Sequence, residues 1–135
     1  MPLHIIKLCV GVDSLQDLRD WRAQRAAQGH PSYCPTRMAP KRAAEILQGG
    51  SLYWVIKGQI LCRQAITEIR TDIPGHQPVR FMLAPELIET APQPRRAFQG
   101  WRYLDPKDAP PDLANGEGQA MDQALAKQLR ELGAW

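Results

Sequence analysis

Three histidines and three cysteines are the only imidazole and thiol side chains in the 135 residues. Cys9, Cys34 and Cys62 are odd in number, widely spaced and never in a C-x-x-C pair, which argues against a disulfide framework and a dithiol redox motif. His30 and Cys34 have a spacing that a metal site can use, but no second pair accompanies them and His4 and His76 stand alone, so no metal is expected. No apolar run approaches the ~18 residues of a membrane span. The N-terminal MPLHIIKLCVGV lacks a basic leader and a small-residue cleavage site. A soluble, cytoplasmic protein without a membrane partner is expected. Also missing are a Walker loop, HExxH, a nucleophile elbow and a Ser/His/Asp set. No cofactor is therefore expected.

What is present is charge, unevenly placed. The formal net charge is +3, yet residues 30–103 carry ten basic against five acidic side chains, and residues 104–135 carry three against six. A basic surface with an acidic appendage gives this pattern, and so does scattered solvated charge.

Residues 3–12 read as a strand and DSLQDLRDWRAQRAAQG as a helix capped by Ser14 and stopped by Gly29. Leu15, Leu18 and Trp21 share its inner face, with Arg19, Arg22 and Arg25 mostly to the side. HPSYCPTRMAP, with three prolines, reads as a connector leading to a helix over 40–48. Gly49 and Gly50 stop that helix. SLYWVIK is apolar on both faces, as in a strand covered on both sides. A turn at Lys57-Gly58 leads into QILCRQAITEIRTDI, a long strand whose alternation slips near Gln64-Ala65, where a bulge or bend is expected. VRFMLAPELI gives a further strand broken at Pro85, and FQGWRYL a closing aromatic one. The expected organisation is a single domain: strand and helix over 1–35, barrel core over 36–104, a proline- and glycine-rich linker over 105–118, and an amphipathic helix over 119–135 bearing Met121, Leu125, Leu129 and Leu132.

PKRAAEILQGG followed by VIKGQILCRQAITEI, then RFMLAPELIETAPQPRRAFQGWRYL, resembles the PUA-like superfamily and its ASCH domains, in which a short helix ends at glycine and enters a barrel strand. The resemblance implies an α+β fold built on a β pseudo-barrel with flanking helices. GGSLYWVIKG departs from the usual ASCH stretch G-x-K-x-x-E-x-R, so no functional residue is carried over. RMAPKRAAEILQGGSLYWVIKG and FQGWRYLDPKDAPPDL resemble more closely a bacterial family of unknown function, over nearly the whole chain.

For binding, the candidates are Arg37, Lys41, Arg42, Lys57, Arg63, Arg95, Arg96, Trp101 and Arg102, with Tyr53, Trp54, Phe98 and Tyr103 interleaved. Cations neutralise phosphate and exposed rings stack bases, so RNA or another nucleic acid is the expected partner. The plain alternative is that the aromatics are core and the arginines a solvated face. A second class is a small hydrolase of a nucleotide or amide substrate, drawing on Glu45, Glu68, Lys57, Arg63, Tyr53 and Thr67. A third is an interaction module using the C-terminal helix.

Overall fold

A computed structural model describes residues 2–96 and 98–113. It is mostly β, a curled sheet with few helices. Its elements in chain order are β1 (His4–Leu8), α1 (Leu15–Ala27), β2 (Tyr33–Thr36), α2 (Ala43–Ile46), β3 (Ser51–Ile56), β4 (Gln59–Arg70), β5 (Val79–Leu83), β6 (Ile88–Pro94) and β7 (Trp101–Leu104). The sheet runs β2-β5-β4-β3-β1-β7, with β6 also paired to β4. All ladders are antiparallel except the parallel pair β1 and β3.

β3 fits the sequence reading most closely, since all six of its residues are buried. Leu52, Trp54 and Ile56 face an inner core with Leu3, Ile5, Ile46, Cys62 and Phe81. Tyr53 and Val55 face an outer cluster with Ile6, Ile60 and Leu104. The two-residue turn at Lys57 and Gly58 has positive φ at both positions, the requirement of a type I′ hairpin whose twist suits the flanking strands.

β4 is long because it changes partner along its length. Its first half pairs with β3 and β6, and beyond Ile66 it pairs with β5. The ladder to β5 shifts between Ile66 and Glu68, so the bend falls slightly later than the Gln64-Ala65 position expected. Gln64 is itself fully buried, and its polarity only mimics a break in the alternation. Its side chain accepts from Trp54 Nε1 at 3.0 Å and donates to Ser32 Oγ at 3.0 Å and to the Ala84 carbonyl at 2.9 Å.

Three further expectations need correction. Residues 33–36 are a strand, not a connector, pairing Cys34 with Phe81 across β5. Proline hides this signal, yet Pro35 sits on an end strand of the sheet, where a missing N–H is tolerated. The helix over 40–48 contracts to the single turn of α2, which buries Ile46 and leaves Leu47 exposed. The stretch between VRFMLAPELI and FQGWRYL, given no strand of its own by the sequence pattern, holds β6 with Pro92 and Pro94, and the ladder to β4 slips between Ile60 and Cys62 beside them.

Gly50 explains the double glycine. Its N–H donates to the Ile46 carbonyl at 2.7 Å. A Cβ there would overlap the Leu3 carbonyl oxygen and lie 2.6 Å from that of Ile46. Only glycine lets the chain leave α2 this close to β1.

Residues 105–113, the start of the expected linker, lie along β6. Ala91 N–H donates to the Pro111 carbonyl at 2.8 Å and Leu113 N–H to that of Glu89 at 2.9 Å. Arg63 grips Asp112 through two hydrogen bonds of 2.8 and 2.7 Å. The expected helix over 119–135 lies outside the described residues.

The sheet curls until its two ends approach without a ladder between β2 and β7. Trp101 on β7 spans the opening, with its ring edge-on to Phe81 at 6.1 Å between centroids and its Nε1–H donating to the Met38 carbonyl at 2.9 Å. An open seam is left beside it.

Candidate nucleic-acid interface

The loop from β6 to β7 divides two surfaces. On the outer face of the sheet, Arg95, Arg96 and Arg102 line a groove of about 350 Å³ together with Ile6, Phe98 and Tyr103. β1 and β7 place them there: Ile6 pairs with Arg102 while Lys7 pairs with Trp101, and alternation sends the two pairs to opposite faces. The Arg102 guanidinium lies 4.9 Å from the Phe98 ring centre. The Arg95 backbone N–H donates to the Gly58 carbonyl at 2.8 Å, and its Nε is buried without a hydrogen-bond partner among the described residues. None of the three arginines forms an ion pair among those residues. Gly100, at φ 72°, supplies the left-handed turn that carries the chain from this groove into β7.

The other expected binding residues are dispersed. Arg42 is occupied by Glu45 at 2.6 and 2.8 Å and lies 5.6 Å from the Tyr103 ring centre. That contact holds the exposed Glu45 carboxyl below its ordinary range. Lys57 faces Asp13 at 3.7 Å, and Lys41 is exposed at the start of α2. Arg63 is a structural clamp: besides Asp112, it donates to Ser51 Oγ at 2.7 Å. The Asp112 carboxylate is held below the usual range by the hydrogen bonds it accepts from Arg63. Nearby His4 accepts from the Ser51 backbone N–H through Nδ1 at 3.0 Å. Burial and then the Arg63 charge lower its pKa, and accepting at Nδ1 leaves Nε2 to carry the ring proton. Arg37 and Trp101 belong to the seam, on the other side of the β6–β7 loop from the groove.

These pairings bear directly on the hydrolase alternative. It required Glu45 or Glu68 beside Lys57 or Arg63 in a cleft. Glu45 instead binds Arg42, Lys57 meets Asp13, Arg63 holds Asp112, and Glu68 is exposed near the end of β4. Neither glutamate lines the groove or the seam cavities. Among the described residues no group of three or more His, Cys, Asp or Glu is placed to hold a metal, and no helix is long and apolar enough to cross a membrane.

A family model, "Protein of unknown function (DUF1489)", matches residues 5–135. The chain belongs to the DUF1489 family. No curated protein and no solved structure matches it. For this DUF1489 member, function is therefore read from the site itself.

Two residues of the seam were missed by the sequence reading, although each carried a signal. Arg22 stands four positions after buried Leu18, hence on the same helical face. It turns inward, with its guanidinium 4.8 Å from the Trp21 ring centre and 5.7 Å from that of Trp54, while Trp21 stays 45% exposed. Lys7 alternates with Ile5 and Cys9, both of the inner core.

Proposed function

We propose that this protein binds single-stranded RNA through the outer groove. The observation that carries the reading is the convergence of Arg95, Arg96 and Arg102 around Phe98, with no ion-pairing carboxylate among the described residues. Guanidinium forks suit phosphate geometry, and a ring beside them offers a stacking face. The curled sheet is read as a PUA-like pseudo-barrel. Support for that comes from the short helix α2 ending at Gly49-Gly50, the entry into the doubly covered β3, and the bent β4 that follows.

The test is titration of the full chain and its Arg95→Ala/Arg96→Ala variant with labelled RNA oligonucleotides at two salt concentrations, alongside thermal melts. The wild type should bind at low salt. The variant should bind more weakly, with a log–log salt slope reduced by roughly 0.7 per lost phosphate contact. Identical affinity and slope in a folded variant, or no wild-type binding at low salt, would remove the groove from the functional account.

A further inference from the structure

The seam on the opposite face holds a second, unassigned site. A cavity of about 650 Å³ lies beneath α1, lined among others by Lys7, Trp21, Arg22, Tyr33, Cys34 and Trp54. A second, of about 640 Å³, lies between the segment after β2 and the segment before β7, lined among others by Arg37, Met38, Gln99 and Trp101. Lys7, Pro35 and Gln77 line both, so the two form one cleft along the open seam. Either half is of a size that takes a small organic ligand.

Its charge is unbalanced. Lys7, Arg22 and Arg37 have no ion-pair partner among the described residues. Arg22 donates only a long 3.5 Å bond to the Tyr33 carbonyl, and its Nε is buried with no partner among those residues. The one carboxylate on the lining among the described residues, Asp17, is exposed and accepts the Asp13 backbone N–H at 3.3 Å. Cys9 and Cys34 provide no counter-charge, because burial pushes both thiols up to about 11 and keeps them protonated. A half-buried guanidinium without an anion is costly, and a bound anion relieves that cost.

The remaining lining describes the rest of the ligand. The side-chain amides of Gln77 and Gln99 form no hydrogen bond among the described residues, and a glutamine amide can donate to and accept from the edge of a heterocyclic base. Tyr33, Trp54 and Trp101 supply flat apolar walls. An aliphatic acid would leave the amides unused, and inorganic phosphate would leave the walls unused.

We propose that the seam is a binding cleft for a mononucleotide, with its phosphate on Lys7 and Arg22 and its base toward Gln77, Gln99 and Trp101. This site is separate from the outer groove and does not rest on the RNA reading.

The test is calorimetric titration of the full chain with AMP, GMP, CMP, UMP, adenosine and inorganic phosphate. At least one mononucleotide should bind, with adenosine and inorganic phosphate each at least about tenfold weaker, a difference of about 1.4 kcal/mol. Lys7→Gln and Arg22→Gln should each weaken that binding by about tenfold or more, whereas Arg96→Ala/Arg102→Ala should leave it unchanged. Because Arg22 packs on Trp54, Gln77→Ala serves as a variant at an exposed position and should lower affinity without lowering the melting temperature. Lack of binding by all four mononucleotides at millimolar concentration overturns the proposal. So does equal affinity for inorganic phosphate, or binding that survives the Lys7, Arg22 and Gln77 changes but is lost in Arg96→Ala/Arg102→Ala. Loss of RNA binding in the outer-groove variant with nucleotide binding retained would show two independent sites.

Discussion

Replacing Gln64 with leucine tests whether the apparent break in β4 is a satisfied polar core. The substitution conserves volume approximately and removes three hydrogen bonds, to Trp54 Nε1, Ser32 Oγ and the Ala84 carbonyl. At roughly 1 kcal/mol net per bond, the loss is about 3 kcal/mol. The Trp54 indole N–H, left without an acceptor in a buried ring, adds about 1–3 kcal/mol. Burying leucine in place of the amide returns about 1–2 kcal/mol. The net cost is about 3 kcal/mol, read as a lower urea midpoint at unchanged slope. In a thermal melt the shift is about 10 °C for a chain of this size. Gln64→Leu made in a Trp54→Phe background should cost about 1–2 kcal/mol less, because the stranded donor is gone. A cost below about 0.5 kcal/mol, or strict additivity of the two changes, would refute the reasoning. Trp54 also lines the seam cleft, so Gln64→Leu should loosen that wall and broaden tryptophan emission.

Gly50→Ala should destabilise by about 2 kcal/mol or more in urea unfolding, since its Cβ meets two backbone carbonyl oxygens that cannot rotate away; a neutral result would show that α2 and β1 separate freely. Asp112→Asn should cost about 1 kcal/mol at neutral pH, a modest figure because the carboxylate is one-third exposed. The folded pKa of Asp112 is depressed, so its contribution is complete above the unfolded value of about 3.9 and disappears as pH falls through the folded one. Wild type and Asp112→Asn should therefore converge in stability once the pH has fallen below the depressed folded pKa, and a gap that persists in acid would mean the pair acts through packing.

The sequence by itself determined the local elements whose pattern is strong. β3 announces itself because both faces are apolar, and the capped helix α1 because Ser14 accepts the Asp17 N–H at 3.1 Å where the capping pattern places it. The I′ turn follows from Lys57-Gly58 in the same way. These are properties of neighbouring residues, and periodicity and backbone sterics act over just that range. Membership of a family of unknown function was likewise legible in the sequence, and the family model matches residues 5–135. Gln64, Arg22, Pro35 and Arg63 show where such reading stops. Gln64 looks like a register slip until Trp54, Ser32 and Ala84 surround it. Pro35 looks like a loop residue until β5 pairs with its strand. Arg63 joins the list of phosphate ligands until Asp112, 49 positions away, takes its guanidinium. Arg22 looks like a solvated helix residue until Trp54 is found beside it. In each case the side chain's role is set by a partner distant in the chain, and only the curl of the sheet brings that partner into reach. A single charge in one dimension carries no record of whether it will be neutralised, so tertiary structure alone decided which arginines are left without an ion pair among the described residues.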